Sequence, residues 1–243
     1  MSDPGDINEL VERVRAALFA IVRDHHDELD AVKQLCEAST ELLPIDGASI
    51  SISLGPQLRN TLHASDAVGN RIESLQFSLG EGPCFESFEF RRPVLVPDLA
   101  NFTTREWPVF ATELARMRIG AIFAFPMQRG AIRIGVVDFY RVRPGWLSPG
   151  ELAAALEVVE IATLLLLNAQ SGTTTALYRP TRRLDHEQVH QATGVLIAAF
   201  DMSAEEALAR LRAYAFANDQ LVDDVARDIM ARRLSPQDLV DEP

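Results

Sequence analysis

The hydrophobic period of this 243-residue chain changes from helical to strand-like and back, and this change limits the fold more than any single motif. Near the start, apolar residues recur at spacings of four and three, the seam of a heptad repeat, at Ile7, Val11, Val14, Leu18 and Ile21. From Ala48 to Leu54 apolar and polar residues alternate strictly, which predicts a half-buried strand. Heptad-like spacing returns after Ser148. The sequence therefore predicts helices on both sides of a strand-rich segment.

Further elements are predicted within that segment. Pro83 suits the first turn of a helix that follows the turn at Gly80–Gly82. A capping box over 148–151 begins a long helix that reaches about Gln170. The other strand candidates cover residues 61–64, 75–79, 94–96, 121–127 and 132–140, and a further helix candidate covers 107–117.

The final third of the chain is predicted to be helical. Polar residues at Ser171–Ala176 indicate a domain boundary. Helices are predicted over 185–200, from a capping box at Ser203–Glu206, and around 221–229. We therefore divide the chain into an N-terminal helix, a strand-rich domain, a linker and a three-helix module, at 1–24, 25–170, 171–180 and 181–243.

The two heptad-like helices that bracket the strands predict a dimer. Their apolar seams would pair with those of a second copy of the chain. The alternative is that both helices are buried against their own sheet. We favour a homodimer formed through these terminal helices.

Composition excludes several classes of protein. A hydrophobic content of 47% and a charged content of 24% are close to the average for globular proteins. The net charge of −12 argues against a surface that binds nucleic acid throughout. No apolar run approaches the ~20 residues of a membrane span, and the start lacks a signal-type apolar stretch. The two cysteines have no zinc-site spacing, and no catalytic triad has a recognisable spacing. We expect a cytoplasmic protein without membrane contact that is not an enzyme.

Motifs in the first two thirds carry a family resemblance. They are Leu79–Cys84, Arg92–Asp98, Trp107-Pro108, Phe123–Pro126 and Ile134–Tyr140. In this order they resemble a GAF domain of the bacterial signalling kind. The resemblance implies an α+β fold, an antiparallel sheet with helices packed on one side and a small pocket on the other. GAF pockets accept cyclic nucleotides, haem, amino acids or nothing, so the cofactor stays unknown.

The final third resembles an ANTAR domain. The matching pieces are His190–Leu196, Ser203–Leu208, Leu211-Arg212 with Ala215, and Asp224–Ala226. This resemblance implies a small three-helix bundle that binds tandem RNA hairpins as a dimer and prevents transcription termination. The whole chain thus resembles bacterial transcription regulators with GAF and ANTAR domains, of the actinobacterial type.

The ANTAR resemblance is incomplete at basic positions. Where the family usually has Ser-Arg and a Lys, this chain has Asp185-His186 and Thr193. Residues 176–243 hold eight arginines and no lysine against twelve acidic residues, a weak basis for binding phosphates. A small basic patch can suffice where RNA is read by shape and unstacked loop bases. The RNA-binding candidates are Arg182, Arg183, His186, Gln191, Thr193, Arg210 and Arg212.

These features lead to one function and two alternatives. We expect a signal-responsive regulator of transcription termination, whose GAF domain senses a small molecule or partner and whose ANTAR dimer binds RNA hairpins. The first alternative is a protein–protein signalling module with a degenerate ANTAR domain that does not bind RNA. The second is a GAF-fold redox catalyst that uses Cys84.

Several single residues have competing interpretations. The ligand-binding candidates are Phe77, Cys84, Phe123 and Phe125, although aromatic residues on strands are usually core. A helix N-terminus beside Cys84 could lower its thiol pKa, but a buried small residue is the favoured interpretation. His186 and His190 have the spacing of two metal ligands, yet a solvated pair is favoured because no third ligand accompanies them. Asp138 is expected to face solvent on the polar side of its strand.

Overall fold

The computed structural model describes residues 4–24, 27–53, 59–102, 105, 107–171 and 186–240. The helices are α1 Pro4–Asp24, α2 Glu28–Leu42, α3 Ala67–Leu79, α4 Pro83–Phe90, α5 Pro108–Arg116, α6 Pro149–Ser171, α7 Glu187–Phe200, α8 Ala204–Ala217 and α9 Val222–Met230. The strands are β1 Gly47–Ser53, β2 Arg59–Ala64, β3 Val94–Val96, β4 Ala121–Arg129 and β5 Ile132–Arg141. Short 3-10 helices cover Leu99–Asn101 and Pro236–Leu239.

Within this part of the chain, five strands form one antiparallel sheet in the order β2-β1-β5-β4-β3. The long hairpin β4–β5 lies at its centre, with Phe125 opposite Val137 and Phe123 opposite Phe139. Successive side chains of a strand point to opposite faces, so each strand contributes to two layers. The predicted α+β fold with an antiparallel sheet and flanking helices is confirmed.

Helices α1, α2 and α6 cover one face of the sheet, which we call the apolar face. The core beneath them includes Ile50, Phe123, Phe125, Val137 and Phe139, each of them almost fully buried. The terminal helices also pack on each other. Val14 and Leu18 of the α1 heptad pattern are therefore buried within the chain. The dimer stays a prediction.

Helices α3, α4 and α5 cover the other face, which we call the polar face. Its apolar part surrounds Trp107, Phe110 and Ile122, all of them buried. Glu81 caps α5, because its Oε1 accepts hydrogen bonds from the backbone N–H groups of Val109 and Phe110, both at 2.9 Å. The turn at Gly80–Gly82 is thereby tied to α5.

The strand predicted over 75–79 is wrong, because these residues form the end of α3. Asp66 caps the start of this helix by accepting a hydrogen bond from the backbone N–H of Gly69 at 2.7 Å. Gly80 ends it in the left-handed conformation with φ 67°. A short apolar run cannot distinguish a buried strand from a buried helical turn. The error matters because α3 carries both a site residue and the contact with the last three helices.

Helices α7, α8 and α9 form a bundle around an apolar core. That core includes Val189, Leu196, Leu211 and Val225, together with Phe77 from α3. Ser203 caps α8 by accepting a hydrogen bond from the backbone N–H of Glu206 at 3.1 Å, as its capping box predicts. Among the described residues, no helix has the length and apolar character that a membrane crossing requires.

Candidate functional site

A group of buried polar side chains lies between the sheet and helices α3 and α4. We call it the polar cluster. β1 and β5 pair with Ser49 opposite Asp138, so both side chains reach the polar face. The cluster consists of Ser49, Ser51, Arg59, Glu73, Gln76, Cys84 and Asp138, each of them at most 6% exposed. The sheet register and the two short helices thus bring together residues that are distant in the sequence.

Hydrogen bonds organise most of this cluster. Glu73 Oε1 accepts from Ser49 Oγ at 2.8 Å, and Gln76 Oε1 accepts from the backbone N–H of Cys84 at 2.8 Å. Arg59 Nη1 donates to Cys84 Sγ at 3.1 Å. A carboxylate oxygen of Glu73, a carboxylate oxygen of Asp138 and the Cys84 sulfur all lie within 4.8 Å of one another.

Asp138 is the exception, since neither of its carboxylate oxygens has a hydrogen-bond partner within the described ranges. The expectation that it faces solvent is wrong, because it is 3% exposed and points toward Glu73. The signal was present in the sequence as an acid between apolar residues of a strand. Alternation alone could not show that its face is covered by α3 and α4.

Burial shifts the ionisation of all three groups in the same direction. It raises the pKa of Asp138 well above the usual range of a carboxyl, and the neighbouring Glu73 raises it further. Burial also raises the pKa of Glu73, against the opposing effects of the neighbouring Asp138 carboxyl and of the hydrogen bond from Ser49. The pKa of Cys84 is raised by burial, although the Arg59 guanidinium opposes the shift. The lowered thiol pKa that a redox role would need is not found.

An open cavity of about 460 Å³ lies beside the cluster, and we call it the arginine cavity. Its lining residues are Arg59, Gly80, Phe85, Phe88, Glu89, Arg133 and Arg212. The Arg59 guanidinium lies over two aromatic rings, 4.4 Å from the Phe85 centroid and 4.5 Å from the Phe88 centroid. Arg133 lies 4.9 Å from the Phe88 centroid. Three arginines against one glutamate suit an anion, and the rings suit an apolar or planar group next to it.

The last three helices dock on α3 at a contact that we call the junction. Phe77 is 2% exposed, and its ring stacks on that of His186 with centroids 3.7 Å apart. His186 Nδ1 lies 2.7 Å from Asp223 Oδ1. Arg212 Nε donates to the backbone carbonyl of Phe77 at 3.0 Å, and burial lowers the pKa of Arg212 to about 10. Arg212 also lines the arginine cavity, so cavity and junction share one side chain.

Three ligand-binding candidates need correction. Phe123 and Phe125 lie on the apolar face under the helices and are fully buried there, so they cannot line a cavity on the other face. Phe77 belongs to the core of the bundle because α3 turns its side chain away from the sheet. Cys84 alone lies at the site, where it contacts Arg59, a residue of the cavity wall. Sequence reasoning missed Arg59.

Among the described residues, the RNA-binding candidates have different surroundings. The prediction that Thr193 contacts RNA needs correction. This residue is 8% exposed, and its hydroxyl donates to the Val189 carbonyl inside the bundle. His186 and Arg212 are engaged at the junction. Gln191 is exposed and donates to Glu187 at 3.2 Å, and Arg210 is half-exposed and donates to Glu206 at 3.2 Å. Arg182 and Arg183 lie outside the described residues.

Comparison with solved structures places the first part of the chain among GAF folds. The GAF domain of a phosphoenolpyruvate-protein phosphotransferase from Coxiella burnetii matches with a TM-score of 0.54 and 14% identity, covering 70% of this chain and 98% of that one. A free methionine-R-sulfoxide reductase from Neisseria meningitidis in complex with its substrate matches with a TM-score of 0.51 and 11% identity, covering 70% of this chain and 95% of that one. At these identities the likeness shows the fold alone. No curated protein matches the sequence.

Family comparison covers both parts of the chain. The GAF domain family matches residues 25–167, and the ANTAR domain family matches residues 181–230. The first match spans more than half of the chain and contains the polar cluster. The second spans the bundle that docks on α3. This chain therefore belongs to the GAF domain family and carries an ANTAR domain after its GAF domain.

Proposed function

We propose that this protein is a cytoplasmic, signal-responsive regulator of transcription termination that performs no catalysis. Its GAF domain receives a small anionic molecule, and its ANTAR domain binds RNA hairpins as a dimer. The observation that carries the proposal is the position of Arg212, an ANTAR side chain that lines a cavity of the GAF domain. A molecule bound in this cavity meets both domains at once.

The arginine cavity supplies the sensing half of the proposal. Arg59 and Arg133 come from the sheet, whereas Arg212 comes from α8. An anion bound among them would offset the repulsion between the three arginines and would stabilise docking. A ligand shifts an equilibrium only as far as it distinguishes the two states, and this cavity is complete only when the domains are docked.

The junction supplies the regulatory half. In the docked arrangement Arg212 donates to the Phe77 carbonyl and His186 stacks on the Phe77 ring. Both were candidates for contacting RNA, and phosphate contacts require basic groups that RNA can reach. We therefore propose that the undocked arrangement binds RNA and that the docked arrangement does not.

The test compares RNA binding by the full-length chain and by Phe77→Ala. Removal of the ring weakens docking, so affinity for tandem-hairpin RNA at moderate salt should rise by about tenfold or more, or about 1.4 kcal/mol. The matched control is Phe90→Ala, since Phe90 is 55% exposed on α4 of the same domain. On a transcription template with two leader hairpins before an intrinsic terminator, read-through should be higher with Phe77→Ala than with the wild type or Phe90→Ala.

Circular dichroism must show that Phe77→Ala keeps its helices, because this ring also fills the bundle core. If the folded variant and the wild type bind hairpins equally, the gating by docking is refuted. If neither binds at low salt, the RNA-binding function itself fails.

The dimer in this proposal uses the terminal helices. Phe19 on α1 is 51% exposed and Leu156 on α6 is 47% exposed, although both helices are otherwise packed. Two large apolar side chains exposed on neighbouring helices favour an interface there. Sedimentation of Phe19→Glu and Leu156→Glu should give monomers, with Phe90→Glu as the control that stays dimeric. A wild-type monomer at micromolar concentration would contradict this part.

A protein–protein signalling module remains the second candidate function. The observation that favours it is the burial of Thr193, which leaves the usual basic position without an exposed side chain. The acidic balance of residues 176–243 points the same way. This candidate replaces the first if neither the wild type nor folded Phe77→Ala binds hairpin RNA.

A further inference from the structure

We infer that Glu73, Cys84 and Asp138 bind one divalent transition-metal ion inside the GAF domain. They come from α3, α4 and β5, three elements that meet on the polar face. Their ligand atoms lie within 4.8 Å of one another, and none of the three residues is more than 5% exposed. The site is separate from the RNA-binding role proposed above.

The buried carboxylate of Asp138 is the group that suits a cation best. Both of its oxygens are buried and lack a hydrogen-bond partner within the described residues. Buried polar atoms are almost always satisfied, so a buried carboxylate that meets no hydrogen-bond donor is an exception that requires an explanation. Glu73, in contrast, accepts a hydrogen bond from Ser49. A metal ion between the two carboxylates satisfies the one that the protein leaves open.

Charge supports a divalent ion. With Cys84 as a thiolate, the three ligands carry three negative charges. Arg59 contributes one positive charge through its contact with the sulfur at 3.1 Å. A divalent cation makes the ionised group neutral, whereas in the metal-free chain the buried side chains keep protons that the ion must displace.

The donor atoms select the kind of metal. A thiolate disfavours Mg²⁺ and Ca²⁺, whereas one sulfur with two carboxylate oxygens suits Zn²⁺ or Fe²⁺. Tetrahedral bonds of about 2.0–2.3 Å place ligand atoms about 3.5 Å apart, so atoms at the 4.8 Å limit must approach each other by roughly 1.3 Å. Three protein ligands leave a further coordination position open to water or a small molecule.

Metal titration of the full-length chain tests this site. The chain is purified under reducing, oxygen-free conditions, stripped with a chelator and titrated with Zn²⁺ and with Co²⁺ as a spectroscopic probe. We expect one ion per chain and a thiolate-to-Co²⁺ charge-transfer absorption. Cys84→Ser should lose this absorption, and Asp138→Asn and Glu73→Gln should weaken Zn²⁺ affinity by at least about 100-fold.

The matched control is Cys36→Ser, which removes the other free buried cysteine from the apolar face and should retain the absorption. The proposal is overturned if the folded wild type binds neither ion stoichiometrically, or if Cys84→Ser keeps the absorption. The wild type and Cys36→Ser suffice for the decision if the cluster variants do not fold. No RNA is present, so the outcome is independent of the proposed function.

Discussion

The two faces of the sheet are made by the same strands but have different contents. Under α1, α2 and α6 the strands present Ile50, Phe125 and Phe139 to an apolar core. Under α3 and α4 they present Ser49 and Asp138 to a buried polar cluster. The apolar face can only contribute stability, whereas the polar face places charge where charge is costly. This difference motivates the binding roles that we propose for the polar face, which is also the face on which the ANTAR bundle docks.

The largest expected effect is on stability and separates the two faces. Phe125→Ala on the apolar face should lower the free energy of unfolding by about 3–5 kcal/mol, since the ring is fully buried. Asp138→Asn on the polar face of the metal-free chain should change it by less than about 1 kcal/mol or raise it, because a neutral amide then occupies a position where burial opposes an ionised carboxyl. Urea unfolding of the two variants measures both values.

Ile132→Ala is the control for a strand substitution outside either core, since Ile132 is 56% exposed. It should stay within about 0.5 kcal/mol of the wild type. A loss of several kcal/mol in metal-free Asp138→Asn would show that the polar face contributes to stability like the apolar one. The proposed difference between the two faces would then be wrong.

A medium effect is expected where the polar face meets the bundle. A Cβ at Gly80 would lie 2.9 Å from Arg212 Nη1, and Gly80 has φ 67°. Gly130 has φ 59° and nothing within 4 Å of the same atom. Both substitutions by alanine should cost about 1 kcal/mol through the left-handed backbone. Gly80→Ala must also displace the Arg212 guanidinium, so it should weaken the junction further.

RNA binding and thermal unfolding distinguish these two glycine variants. Gly80→Ala should bind tandem-hairpin RNA several-fold more tightly than Gly130→Ala, at a similar or slightly lower Tm. Equal RNA affinities would show that the Arg212 contact does not couple the polar face to the bundle.

The sequence predicted the layers well and the site poorly. The alternation at 48–54 and the capping boxes follow from local periodicity and local hydrogen bonds, and β1, α6 and α8 lie close to where they were expected. Phe123 and Phe125 were correctly placed on a strand, but periodicity does not say which face holds a cavity. Glu73 was overlooked because its helix was partly interpreted as a strand.

The missing information is long-range. Asp138 meets Glu73 only because β1 pairs with β5 in one register and α3 covers that face. Thr193 occupies a basic position of the family pattern, yet its helix turns it inward. Replacing Thr193 by Lys would therefore disturb the bundle core rather than add an exposed phosphate contact. Neither fact is contained in a local window of sequence.

The smallest expected effect is a pH dependence on the bundle side of the junction. Burial lowers the pKa of His190, and the nearby charge of His186 lowers it further, while Asp223 opposes the shift. The folded chain therefore holds fewer protons at this residue than the unfolded chain, in which the histidine pKa is about 6.5. Acidification below that value favours the unfolded state, and the stability is regained as the pH rises above it. The wild-type Tm should fall slightly more than that of His190→Gln between neutral pH and about pH 5.5. Because both chains share the polar cluster, its titration cancels in the difference. Parallel Tm curves for the two chains would show that His190 does not contribute to the pH dependence of stability.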